Sequence, residues 1–292
     1  MIYDIVHTTH YEYDEPVTAS YAEVYQLPPD SDGQRCLARS ITTEPPSSFQ
    51  RERHDYFGNL ATALEIHEPH TTLKVHSTST VETTDRPVVM PAEASEPWSS
   101  FAVTTQNLPD LVAAEFVLDS PLVGRGQVYA DYARQDFTPG ASLGDALMAL
   151  NRRIHQDFVF DPKATEIDTP LDEAFALRRG VCQDFAHVLI ACLRSIALPA
   201  CYVSGYLETV PPPGQERLTG ADRTHAWVGV YYGDDRWIGI DPTNDQFAGP
   251  RYITTAHGRD YGDVPPLKGV IFTEAEKSTL KVSVDVVRRS SS

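Results

Sequence analysis

One stretch constrains the chain most: Arg179-Gly180-Val181-Cys182-Gln183-Asp184-Phe185-Ala186-His187. Gly180 can end one helix, because only glycine takes the left-handed conformation cheaply. The apolar run Phe185, Ala186, Val188, Leu189, Ile190, Leu193 then begins another. Cys182 is therefore expected at a helix start. Unpaired N–H groups and the positive end of the helix dipole stabilise a thiolate there. Such a thiolate is the usual form of a cysteine nucleophile. By itself the stretch also fits a small buried Cys opening a core helix.

A second stretch bears on that choice. Residues 223–232 are rich in Val and aromatics and read as a strand. Gly233-Asp234-Asp235 is a turn, and Trp237 to Asp241 returns until Pro242 ends the ladder. Folding this hairpin about Gly233 sets His225 opposite Asp241, and opposed residues share a face. An imidazole beside a carboxylate is a base with its orienter. The register needs an odd loop of about three residues, since a two-residue turn at Gly233-Asp234 would pair His225 with Pro242.

The order Cys182, His225, Asp241 resembles the transglutaminase-like branch of the papain-like cysteine enzymes. Gly180 to His187, Thr224-His225-Ala226-Trp227 and Asp241-Pro242-Thr243-Asn244 resemble a bacterial subfamily of transglutaminase-like enzymes and candidate cysteine proteases. So do Gly258-Arg259-Asp260-Tyr261, Val264-Pro265-Pro266, and the opening Thr8-Thr9-His10-Tyr11-Glu12-Tyr13 with Pro16-Val17. The similarity spans nearly the whole chain. One departure is Gly229, where many relatives carry Glu two residues after the Trp. The resemblance implies a cysteine protease or amidase working through a thioester, with hydrolysis as the default because water is abundant. Transfer of the acyl group to an amine is the alternative, and a peptide-binding module without catalysis is the rival of another class. The substrate that the resemblance implies is a peptide or protein amide. The resemblance also implies a second, side-chain oxyanion donor, often Trp or Gln, upstream of the nucleophile. No Trp lies between Trp98 and Cys182.

The 292 residues suffice for one large or two small domains. The net charge of −17 repels phosphate backbones, so no nucleic-acid partner is expected. Cys36, Cys182, Cys192 and Cys201 show no C-x-x-C spacing, and His7, His10, His54, His67, His70 and His76 are dispersed. Neither a metal site nor a cofactor is expected. Zinc bound through His187 has little support, because positions 182 and 187 do not share a helix face. Sparse cysteines suit a reducing cytoplasm. Met1-Ile2-Tyr3-Asp4 has no basic or apolar leader, and no stretch is long enough to span a membrane.

The expected fold is α+β. Residues 1–99 form an all-β, sandwich-like module with its connection. Residues 100–272 form the core, with helices packed on an antiparallel sheet. Residues 273–292 are a last strand and a tail. Ser142 with Asp145 resembles a capping box, Asp110 can cap a helix over 111–118, and Gly58-Asn59 tips a hairpin. The Pro- and Gly-rich segment 209–222 enters the His225 strand and can flank the site or simply connect.

Overall fold

The computed structural model describes residues 1–84, 91–104, 111–209 and 224–289. Asp110 and almost all of segment 209–222 lie outside them.

The chain opens with β1 (Ile2–Val24), whose β-forming residues alternate between buried and half-exposed over its first turns of pleat. β2 (Gln34–Glu44), β3 (Phe49–His54), β4 (Leu60–Ile66) and β5 (His70–Thr83) follow. All pair antiparallel, in the order β2-β5-β1-β4-β3. β1 changes partner along its length. Residues 2–12 pair with β5, a register shift follows, and residues 20–24 pair with β4. The two halves enclose one apolar cluster of Val24, Leu27, Ile41, Leu60, Leu64, Ile66, Leu73 and Val75. All of these strands belong to one antiparallel sheet.

The middle of the chain carries α1 (Leu111–Glu115), α2 (Gln127–Ala133), α3 (Leu143–Asp157), β6 (Val159–Phe160), α4 (Leu171–Leu177), β7 (Arg179–Gly180) and α5 (Cys182–Ser195). In α3 the Ser142 hydroxyl accepts from the Asp145 N–H, and Leu143, Leu147, Leu150 and Ile154 are buried together. Then come β8 (Ala200–Leu207), β9 (Thr224–Tyr231), β10 (Trp237–Asp241), β11 (Gln246–Phe247) and β12 (Tyr252–Gly258). These five strands form an antiparallel sheet in the order β11-β10-β9-β8-β12. One face, with Ala200, Tyr202, Ala226, Val228, Val230 and Ile240, packs on the apolar length of α5.

The chain then leaves the core. Leu267–Thr273, β13, pairs with Val17–Val24 of β1, and Ser278–Arg288, β14, pairs with Tyr3–Tyr13. This corrects the expected boundaries, which placed 267–272 in the core and 273–292 apart. Both strands complete the N-terminal sheet. Val284 and Val286 of β14 join Tyr3, Ile5 and Val81 in a cluster with Tyr206 and Ile253 of the core sheet. In the same seam the Tyr206 hydroxyl donates to the Gln26 carbonyl at 2.9 Å and lies 2.9 Å from His7 Nδ1.

Candidate active site

Cys182 is the first residue of α5, and its thiol is half-buried. Val181 before it is extended, and its N–H donates to the Asp184 carboxylate at 2.7 Å. The same oxygen accepts from the Thr165 hydroxyl at 2.7 Å. Gln183 Nε2 donates to the Ile167 carbonyl at 3.0 Å, so segment 161–169 is pinned beside the helix start. The expected role of Gly180 is corrected. α4 ends three residues earlier, and Arg178 takes the left-handed turn at φ 53°. Its guanidinium lies 4.0 Å from the Phe175 ring centre, and this stacking offsets the strain of a side chain in that conformation. Gly180 has a different constraint: a Cβ there would sit 2.3 Å from Asp184 Oδ2.

The hairpin has the expected odd loop, Gly233-Asp234-Asp235, closed by Tyr232 N–H donating to the Arg236 carbonyl at 3.0 Å. Its centre lies one residue later than the sequence reading set it. Tyr231 pairs with Trp237 and Val228 with Ile240. Consecutive positive-φ residues at 233, 234 and 235 carry the turn. Parity is preserved, so His225 and Asp241 still share a face, as a diagonal rather than an opposed pair. His225 Nε2 lies 2.7 Å from Asp241 Oδ2. Cys182 lies near enough that its charge helps raise the affinity of the imidazole for its proton. The Trp227 ring lies nearly parallel to the imidazole, with centroids 6.2 Å apart.

Asp241 is fully buried. Besides His225, its Oδ2 accepts from Asn244 Nδ2 and from the Tyr252 hydroxyl, each at 2.7 Å. Oδ1 accepts from the Thr243 and Asn244 N–H groups at 2.9 and 3.2 Å. Burial alone would raise this carboxyl, but the bonds and charge of His225, with Asn244 and Tyr252, hold it below the ordinary value. Burial opposes charge on His225 too. Asp241 and Cys182 outweigh it and push the imidazole up to about 10.

Asn244 falls within the quoted Asp-Pro-Thr-Asn stretch, and an Asp whose carboxylate caps the next turn is a local signal for it. Tyr252 is on another strand, and nothing near it in sequence points to Asp241. Gly229 faces Cys201, where a Cβ would meet Sγ at 2.6 Å, so no longer side chain fits there. Cys192 and Cys201 are buried, and burial pushes each thiol up to about 12. His187 is buried and accepts from the Tyr261 N–H at 3.1 Å. Among the described residues no group of three or more His, Cys, Asp or Glu is placed to hold a metal ion. No described helix is long and apolar enough to cross a membrane.

Two family models match the chain: the bacterial transglutaminase-like N-terminal region over residues 3–82, and the transglutaminase-like superfamily over residues 131–242. An uncharacterized protein of Mycobacterium tuberculosis is 42% identical over 98% of this chain and 92% of its own length. A protein-glutamine gamma-glutamyltransferase of Pseudomonas aeruginosa is 33% identical over 43% of this chain and 19% of its own length. The crystal structure of a protein from Cytophaga hutchinsonii, provisionally assigned as a cysteine protease, superposes with a TM-score of 0.75. It is 20% identical and covers 100% of this chain and 92% of its own, which establishes a shared fold.

Proposed function

The chain belongs to the transglutaminase-like superfamily, and on that premise we propose that it is a cysteine-dependent enzyme that cleaves amide bonds through a thioester. Cys182 is the nucleophile, His225 the base and acid, and Asp241 the orienter. The observation that carries this reading is the position of His225, with Nε2 2.7 Å from the buried Asp241 carboxylate and the charge of Cys182 near enough to help hold its proton.

The imidazole takes the thiol proton, and the sulfur attacks the carbonyl carbon. A helix-start N–H, that of Cys182, is available to the oxyanion that forms. Collapse breaks the C–N bond, and the imidazolium gives its proton to the leaving amine. Water then attacks the thioester, passes its proton to His225, and the acid leaves as the thiol re-forms. Asp241 keeps Nε2 protonated throughout, so that Nδ1 always faces the sulfur. A second reading replaces water with an amine. It is favoured by the similarity to the gamma-glutamyltransferase and yields an isopeptide instead of an acid.

A peptide-amide library with a fluorescent primary amine added in parallel separates the two. New carboxylates without amine incorporation are expected, and both reactions should vanish in Cys182→Ala. Amine incorporation in place of hydrolysis would establish the second reading. Turnover that persists in Cys182→Ala would contradict both.

A further inference from the structure

β12 is the edge of the core sheet, and no strand among the described residues pairs with its outer side. An uncovered edge leaves N–H and C=O groups open. Here two buried side-chain amides of the N-terminal module fill it. Gln34 Nε2 donates to the Thr254 carbonyl at 2.9 Å, and Gln34 Oε1 accepts from the Thr254 N–H at 2.8 Å. Asn59, at the tip of the β3–β4 hairpin, does the same at His257. Its Nδ2 donates to the carbonyl at 2.7 Å, and its Oδ1 accepts from the N–H at 2.8 Å. Each amide exchanges two bonds with one residue, as the opposite member of an antiparallel pair would. The spacing of three instead of two follows from the bulge between Thr254 and Ala256. The remaining amide hydrogens are taken inside the module, by the Pro29 carbonyl and by Asp55 Oδ2. Thr83 adds a bond to the Pro250 carbonyl at 2.8 Å.

These bonds bracket Tyr252, with Pro250 two residues before it and Thr254 two residues after. Tyr252 donates to Asp241 Oδ2, the oxygen that also takes His225 Nε2, while Gln246 Nε2 donates to the phenol oxygen at 2.6 Å. We propose that the N-terminal module is part of the site's positioning machinery: Gln34 and Asn59 pair the outer edge of β12, Thr83 holds Pro250 just before it, and together they hold Tyr252 against Asp241. This rests on the triad reading above. Simple edge protection needs only a cover. A cover whose bonds flank the one β12 residue that touches Asp241 also fixes the direction of the imidazole, and sub-ångström placement is what a proton-transferring group requires.

The test uses the full chain and needs no substrate. The His225 Nε2 proton, bonded to a carboxylate, gives a low-field NMR signal whose exchange with water reports how firmly the bond is held. Tyr252→Phe should shift that signal and speed its exchange about fivefold, the net worth of one hydrogen bond. Gln34→Met, which keeps the length and loses both bonds, should act in the same direction, as should Thr83→Val. Adding Gln34→Met to Tyr252→Phe should change nothing further at His225. The inference is overturned if Gln34→Met and Thr83→Val lower the melting temperature but leave the His225 signal in place, or if Gln34→Met still acts in the Tyr252→Phe background. If the parent protein shows no carboxylate-bonded Nε2 proton and His225 titrates as a free imidazole, the triad reading itself fails.

Discussion

His225 carries the pH sensitivity of the site. Its imidazole is raised from 6.5 to about 10, so the folded protein holds a proton that a free imidazole would have lost. The pairing with Asp241 is therefore complete below pH 6.5 and is lost as pH rises through about 10. Asp241 is shifted the other way. Its contribution is present above the ordinary carboxylate value of 3.8 and is lost in acid, below that range. The expected outcome is an alkaline limb of amide turnover well above the free imidazole value, an apparent value that belongs to the coupled set and not to one residue. Asp241→Asn removes the anion while keeping the shape, so the limb should fall toward 6.5 and turnover should drop with it. A pH–rate profile of parent and variant checks this. An unmoved limb would remove Asp241 from the account.

At the level of elements, the start of α5 is held from three sides: the Val181 N–H, the Thr165 hydroxyl and the absence of a Cβ at Gly180 all converge on Asp184. Gly180→Ala should force that carboxylate aside and cost about 1–3 kcal/mol, the usual range for overpacking. Urea denaturation measures it, and a variant as stable as the parent would contradict the steric reading. The local parts of this element were legible in sequence. A glycine before an apolar run marks a helix start, and the odd loop after Tyr232 fixes which residues of the hairpin share a face. What was not legible depends on non-local packing. The αL position moved from Gly180 to Arg178 because Tyr132, Phe158 and Phe175 receive the guanidinium. The hairpin centre moved by one residue because Asp234 and Asp235 accept positive φ alongside Gly233.

Across the whole molecule, alternation in Leu280 to Val286 identifies a strand but not its partner, since period two is the same whichever sheet receives it. That partner is β1, at the opposite end of the chain, so the N-terminal sheet closes only when the C-terminus returns. Tyr252 was invisible for the same reason: its contact with Asp241 depends on strand order in the core sheet and on the amides that cover its edge. The His225–Asp241 contact and the place of Cys182 at a helix start were legible because each residue sits in a stretch whose own pattern sets its position.

The most direct measurement of the central claim is the order in which the four thiols react. Cys192 and Cys201 are buried and pushed up to about 12, and burial, against the opposing pull of Arg39, raises Cys36 above its ordinary value. Cys182 alone combines partial access and a helix start with a charge that helps hold the proton on His225. With limiting iodoacetamide at about pH 6, where ordinary thiols are protonated, peptide mapping should find Cys182 alkylated first, and His225→Ala should abolish that preference while the fold is retained. Labelling of Cys36 as fast as Cys182, or a His225→Ala protein that alkylates like the parent, would contradict an activated Cys182.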